Sequence, residues 1–338
     1  MVRLKDIAKE AGVSVMTVSK VMRDAPDISA ATKARVRVLA EKMGYVPDSG
    51  AQALRYRSAR LFGLLIPSPT NPVFARIVMA IEQRAHELGY DLLIGHTMNE
   101  KAREEYYIRR FMSRRIDGLF LTPVYRMEPE ARVYAELARH RLPTVLFGHH
   151  APFCKGFANV EVDDLAASAM ATRHLIELGH RRIAFFTGPQ VSPGAQERFE
   201  GYRRALKEAQ IPEDERLIFQ AGSTIEEGKT TALQYLNESP QATAVQAAND
   251  LVAIGAASIF LEQKIKIPEQ LSVVGYGNIL TSEYFLVPLT TIRQPKFRLG
   301  LAAMDTMLKL LQGQEPGVKR LPAEIIVRKS TAAPPPKQ

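Results

Sequence analysis

Between Leu4 and Met43 the apolar residues recur at helical spacing in three short groups. Leu4, Ile7, Ala8 and Ala11 form one stripe, stopped by Gly12; Val18 and Val21 form a second behind a Ser14 cap. Val36, Leu39, Ala40 and Met43 form a third, opened by Ser29 and ended by Gly44. Helices this short are marginal alone and must pack on one another. After Tyr45-Val46-Pro47 comes DSGAQALRYRSAR, polar and basic, with Leu54 as its single large apolar residue. From Leu61 the pattern changes. Strand-length apolar runs (LFGLLIPS, YDLLIGH, GLFLTPV, PTVLFG, RIAFFTGP, LIFQAG, AVQAA, LSVVGYG) alternate with amphipathic stretches such as VFARIVMAIEQRAHEL and EKAREEYYIRRFMSRR. That alternation predicts an α/β architecture with doubly covered parallel sheets. About ten strands exceed one ordinary sheet, so two are expected. The tail, 331–338, is Pro-rich and expected to be disordered.

Charge sharpens this division. The net charge is +9, yet residues 1–60 hold twelve Lys/Arg against six Asp/Glu, a surplus of +6 that leaves +3 for the rest. A basic head on a nearly balanced body fits a polyanion-binding module joined to a domain for a neutral or weakly charged ligand. Cys154 is the only cysteine, so neither an intramolecular disulfide nor a cysteine-based zinc site is expected, which suits a reducing compartment. The first residues, MVRLKDIAKEAG, lack the apolar core of a secretory signal, and no apolar run reaches membrane-spanning length. A cytoplasmic protein is expected, with no membrane partner.

The sharpest motif is LKDIAKEAGVSVMTVSKVM, residues 4–22. Ala8 permits close helix approach and Gly12 the turn, which leaves Val15, Met16, Thr17 and Lys20 facing outward at a helix start. In a helix-turn-helix those positions meet base edges in the major groove of double-stranded DNA. Val15 and Met16 suit thymine methyls and Lys20 suits guanine acceptors. Ser14, Thr17, Ser29 and Thr32 stand at helix starts, where hydroxyls and backbone N–H groups meet phosphates. The alternative is an ordinary three-helix bundle, for which an exposed Val-Met pair beside a basic surface is unusual.

These residues resemble the headpiece of the lac repressor/gal repressor (LacI/GalR) family. Further matches follow in order: GYVPD at 44–48, A-x-A-L at 51–54, LGHRRIAFFTGP at 178–189, AANDLVAIGA at 247–256 and LSVVGYGN…PLTTIRQP at 271–295. The resemblance implies a DNA-binding headpiece at 1–45 and a hinge at 46–59 that becomes helical on operator DNA. There Leu54 would wedge into the minor groove, and Arg55, where the family commonly has Ala, would add a phosphate contact. The other reading of Leu54 is a linker residue resting on the larger domain. Residues 60–330 would form two doubly wound parallel-sheet subdomains of periplasmic-binding-protein type. The first would hold about 60–159 and 291–318, the second about 160–290 and 319–330.

An effector would bind between the sheets, at the carboxyl ends of the strands. Ser68, Thr70, Asn71, Phe74 and His149 would line one wall; Arg198, Asn249 and Gly277 would line the other. Arg198 reads equally as a surface ion pair, and Asn249-Asp250 as a helix cap. At Gly277 many sugar-responsive members carry an aspartate that grips sugar hydroxyls. Its absence, beside Arg198 and His149, shifts the expected effector from a hexose toward a sugar acid.

His149, His150 and Cys154 lack regular metal-ligand spacing, and GPQVSPG at 188–194 is no phosphate-binding loop, so no cofactor or metal is expected. A sugar-processing enzyme would need an oriented acid pair, and Asp250 is the clearest acid on the expected cleft. A transport binding protein would not need the basic head. The expected protein is therefore an effector-controlled transcription regulator, a repressor, acting as a homodimer because one headpiece reads only a half-site.

Overall fold

The computed structural model describes residues 2–46 and 58–336, so Leu54 and Arg55, expected to lie in a hinge, fall outside the described residues. The chain divides into two compact units, residues 1–59 and 60–338.

In the first unit α1 (Leu4–Ala11), α2 (Val15–Val21) and α3 (Ala30–Lys42) enclose a core of Ile7, Ala8, Val18, Val21, Val36 and Ala40. Gly12 ends α1 at φ 64°, a left-handed conformation that a side chain disfavours, and its turn sends α2 back across α1. Ser14 Oγ accepts the Thr17 N–H at 3.0 Å, and Ser29 Oγ accepts the Thr32 N–H at 3.3 Å. Both serines thus satisfy otherwise orphaned helix donors.

The second unit contains two six-stranded sheets among the described residues. One comprises β1 (Leu61–Ile66), β2 (Asp91–His96), β3 (Gly118–Leu121), β4 (Thr144–Phe147), β5 (Ala158–Val162) and β11 (Val318–Leu321). Its order is β11-β5-β4-β3-β1-β2, all parallel. The other comprises β6 (Ile183–Thr187), β7 (Ile218–Gln220), β8 (Ala244–Ala247), β9 (Ser272–Tyr276), β10 (Thr290–Arg293) and β12 (Glu324–Ile326). Its order is β12-β10-β9-β8-β6-β7, with β12 alone antiparallel. The chain leaves the first sheet after β5, returns after β10 and crosses a third time between β11 and β12.

These crossings fall a few residues after 160, 290 and 319, because β5 runs through Val162, β10 through Arg293 and β11 through Leu321. The strand ANVEV is disguised by Asn159 and Glu161, which are buried but paired: Asn159 Nδ2 donates to Glu161 Oε2 at 2.7 Å. Around the sheets pack α4 (Pro72–Glu87), α5 (Lys101–Ser113), α6 (Arg132–Arg139), α7 (Asp164–Glu177), α8 (Pro193–Glu208), α9 (Ile225–Glu238), α10 (Asp250–Glu262), α11 (Leu280–Tyr284) and α12 (Lys296–Leu311).

Leu299, Ala302 and Ala303 of α12 share one core with Ile77 and Ile81 of α4, while Met79 of α4 stands exposed. One expectation changes here: the tail is docked through Ala332 rather than disordered from 331. Thr331 Oγ1 lies 3.0 Å from His174 Nε2, and the Ala332 carbonyl accepts from His180 Nε2 at 2.9 Å. Proline removes helix donors, but it does not prevent extended chain from docking through its neighbours' hydrogen bonds. Among the described residues no helix is long and apolar enough to cross a membrane.

Candidate functional site

In the headpiece, Val15 and Met16 open α2 and stand 47% and 61% exposed, large apolar side chains with no core of their own. Lys20, expected to be free for a base, forms an ion pair with Asp27 in the loop before α3. Ser14 and Thr17 share a hydroxyl contact of 2.9 Å, as do Ser29 and Thr32. Each pair therefore places hydroxyls and helix N–H groups together at one helix start.

In the second unit the strand ends open onto a cavity of about 450 Å³ between the sheets, an ordinary size for a small-molecule site. Asn71, Phe74, His149, Arg198 and Asn249 line it, as expected from the sequence. Ser68, Thr70 and Gly277 are not among the lining residues. Ser68 Oγ accepts the Thr70 N–H at 3.2 Å and lies 2.7 Å from its hydroxyl, closing the turn that precedes α4. Gly277 adopts φ 137°, which favours glycine, and its N–H donates to the Ile292 carbonyl at 2.8 Å. A Cβ added there would lie 3.5 Å from Asp250 Oδ2, so an aspartate would crowd a second carboxylate against the first.

Asp250 is not the cap of its own helix. Asn249 Oδ1 takes that role, accepting the Val252 N–H at 2.9 Å. The Asp250 carboxylate turns instead to the Ile279 N–H, at 2.9 Å, and to the Ser282 and Thr291 hydroxyls, at 2.7 and 2.5 Å. It holds the β9–α11 turn. Burial pushes its carboxyl upward despite these bonds.

The chemistry of the cavity centres on residues the sequence did not single out. Asp164, at the start of α7, receives His149 Nε2 at 2.8 Å and Arg198 Nη2 at 3.3 Å, and also accepts the Tyr276 hydroxyl. Glu161 on β5 lies 3.2 Å from His149 Nδ1. The Arg198 guanidinium sits 4.0 Å from the Tyr276 ring centroid and donates through Nη1 to the Ala248 carbonyl at 2.8 Å. Burial works against ionising Asp164, but the charges of Arg198 and His149 and their hydrogen bonds prevail and hold it down at about 2. For His149, burial likewise opposes charge, and the bonds to Asp164 and Glu161 outweigh it, raising it to about 9. The missed signal was the Asp163-Asp164 pair directly after a strand, where open α/β sheets place their ligands.

Two buried supports position the walls. Glu104 of α5 accepts the Val124 N–H and the Tyr134 hydroxyl, both at 2.7 Å, and pairs with Arg126. This anchors the loop that carries Thr122 and Tyr125 to the cavity. Lys296, opening α12, donates to the Gly277 and Asn278 carbonyls across the second crossing.

With this geometry in place, the comparisons are decisive. The profile described as "Bacterial regulatory proteins, lacI family" matches residues 3–48, and "Periplasmic binding protein-like domain" matches 172–331. The HTH-type transcriptional repressor CytR of Escherichia coli (strain K12) is 34% identical over 335 residues, covering 98% of this chain and 97% of that protein. The chain belongs to the lacI family. Among solved structures, the lac repressor dimer bound to operator and the anti-inducer ONPF gives a TM-score of 0.89 at 29% identity, covering 98% of this chain and 99% of that one. The transcriptional regulator CelR in complex with cellobiose gives 0.75 at 27% identity, covering 98% and 100%. As a lacI-family regulator, the protein joins a DNA-binding headpiece to an effector-binding domain, and its relatives are regulators rather than enzymes.

Proposed function

We propose that this protein is a repressor whose affinity for operator DNA is set by a small, neutral, hydroxyl-rich ligand held between its two sheets. The observation that carries the ligand class is the charge balance of the cleft. The sugar-acid expectation rested on Gly277 standing where many members carry an aspartate, and on Arg198 and His149 as open cations. Both already face carboxylates: Arg198 and His149 share Asp164, and His149 also meets Glu161. A ligand carboxylate would enter against Asp164 and gain little. What remains open to a ligand is a mixed surface: Asn71, Asn249 and Gln294 amides with Phe74, Phe147 and Leu251. Amides over apolar walls suit ring faces and fixed hydroxyls. CelR carries cellobiose, a neutral sugar, on the same fold.

On DNA, Val15, Met16, Thr17 and Lys20 meet base edges, with Lys20 exchanging Asp27 for a base. Ser14, Ser29 and Thr32 meet phosphates, and Leu54 and Arg55 engage the minor groove and backbone. Two headpieces read paired half-sites, so the working form is a homodimer. Leu280, Tyr284 and Leu286, exposed around α11, supply apolar surface for a second copy. The ligand acts through its differential affinity for two closures of the cleft.

A thermal-shift screen of the whole chain against neutral sugars, nucleosides and sugar acids tests the ligand class. A ligand at a hundred times its dissociation constant adds about 2.7 kcal/mol of stability. Neutral compounds should raise the midpoint, and the hit should then alter duplex binding. A response confined to sugar acids would return the reading to an anionic effector.

A further inference from the structure

His149 stands at the end of β4, in the first sheet's half, yet two of its three carboxylate neighbours belong to the other half. Nε2 lies 2.8 Å from Asp164 of α7, and Nδ1 lies 3.2 Å from Glu161 of β5 and 3.4 Å from Glu197 of α8. A neutral imidazole carries one N–H and would turn a lone pair toward one of these carboxylates. Only the imidazolium donates on both sides. The ring is buried, and α8 comes up against it because residue 194 is glycine; a Cβ there would lie 2.9 Å from His149 Cδ2.

The other charged groups facing this position are Arg320 of β11 and Arg198 of α8. Arg320 joins Glu161 and Glu197, at 2.6 and 2.9 Å, and so also spans the crossing. The hydroxyls of Tyr125 and Tyr276 complete the surround, the first on the His149 carbonyl at 2.9 Å and the second on Asp164. With His149 protonated, three cations face Glu161, Asp164 and Glu197, and Asp163 at the rim lies 3.9 Å from Arg320. Without the proton the cluster gains an uncompensated negative charge, and two of the three carboxylates that the ring then faces, Asp164 and Glu197, belong to the other half of the domain.

We propose that His149 is a proton-loaded latch across the effector cleft, holding the two halves together while protonated and releasing them when the proton leaves. The sign follows from the raised proton affinity. The latch is complete below the ordinary histidine value of about 6.5 and is lost as pH rises through about 9. Any effector that favours the closed form therefore takes up protons between these limits. The latch rests on the cleft being the sensing site for its biological meaning, but its test needs no effector. Failure of the test would leave the regulator reading untouched.

Two readouts on the full chain decide the matter. In the first, the protein is labelled with ¹³C-histidine and the seven histidines are titrated by NMR, with His149 assigned by its loss in His149→Gln. His149 should titrate near 9, and Glu197→Gln, a change on a partly exposed neighbour, should lower that midpoint by about half a unit or more. A midpoint near the ordinary histidine value, or one unmoved by Glu197→Gln, overturns the proposal.

In the second, spin labels at Met127→Cys, exposed between β3 and α6 of the first half, and at Glu226→Cys, exposed at the start of α9 of the second half, report the distance between the halves. It should lengthen between pH 7 and 10 in the otherwise native chain. In His149→Gln it should already be long at pH 7 and should not respond to pH. The control matters because Lys296, which burial brings down to about 8 against the pull of Asp250, titrates in the same range. A pH-dependent opening that persists in His149→Gln would assign the effect to Lys296 and refute the latch.

Discussion

Asp164 shows how one side chain sets the character of the cleft. Its carboxylate contacts both Arg198 and His149 and fixes the arginine over Tyr276. Its folded-state ionisation lies at about 2, below the unfolded 3.8, so its stabilisation is present above 3.8 and is lost as pH falls through about 2. That difference corresponds to about 2 kcal/mol. Asp164→Asn should therefore lower stability at neutral pH by an amount of that order and flatten the acid limb of the unfolding profile. Denaturant melts at pH 7 and at pH 2 check this, and equal differences at both pH values would remove Asp164 from the ion network. The same variant should raise affinity for anionic ligands, measured by calorimetry with sugar acids. Asn249 stands out within AANDLVAIGA, Arg198 through the family resemblance, and His149 at the end of the apolar strand PTVLFG. Asp164, Glu161 and Tyr276 were not legible, because buried polar residues on strand ends look like surface positions until their partners are known.

At the scale of elements, helix starts and close helix pairs carry the design. Ser14 caps α2, the helix that presents Val15 and Met16. Ser14→Ala should cost about 1 kcal/mol of headpiece stability and weaken duplex binding in step, as read by circular dichroism and by fluorescence anisotropy. Helices α7 and α8 meet so closely that a Cβ on Gly201 would lie 2.3 Å from the Leu165 carbonyl oxygen. Gly201→Ala should force them apart at a cost on the order of 1–3 kcal/mol. A thermal midpoint unchanged in this variant would contradict the packing described. The long apolar strands and their helices were readable from periodicity alone. Strands β5, β10 and β11 blurred the crossing points because ANVEV, TTIR and VKRL show no apolar run.

For the whole molecule, a basic headpiece and a charge-balanced sensing domain form separate compact units. The expected hinge segment, with Leu54 and Arg55, lies outside the described residues. Leu54→Ala should sharply reduce affinity for a selected operator while leaving the thermal midpoint of the sensing domain unchanged. Equal operator affinity would defeat the minor-groove wedge. The docked end of the chain belongs to this scale too, since Thr331 and Ala332 tie the terminus to His174 and His180 of the second half.

The proposed reading of a two-fold DNA site by a dimer of this chain, through the exposed face of α2, is tested most directly by selecting duplexes from a random pool with the full-length protein, beside a Val15→Asp, Met16→Asp variant. The native chain should enrich a two-fold-symmetric sequence, and the variant should retain its fold but lose that enrichment. Enrichment of the same sequence by both proteins, or no enrichment by either, would contradict the account.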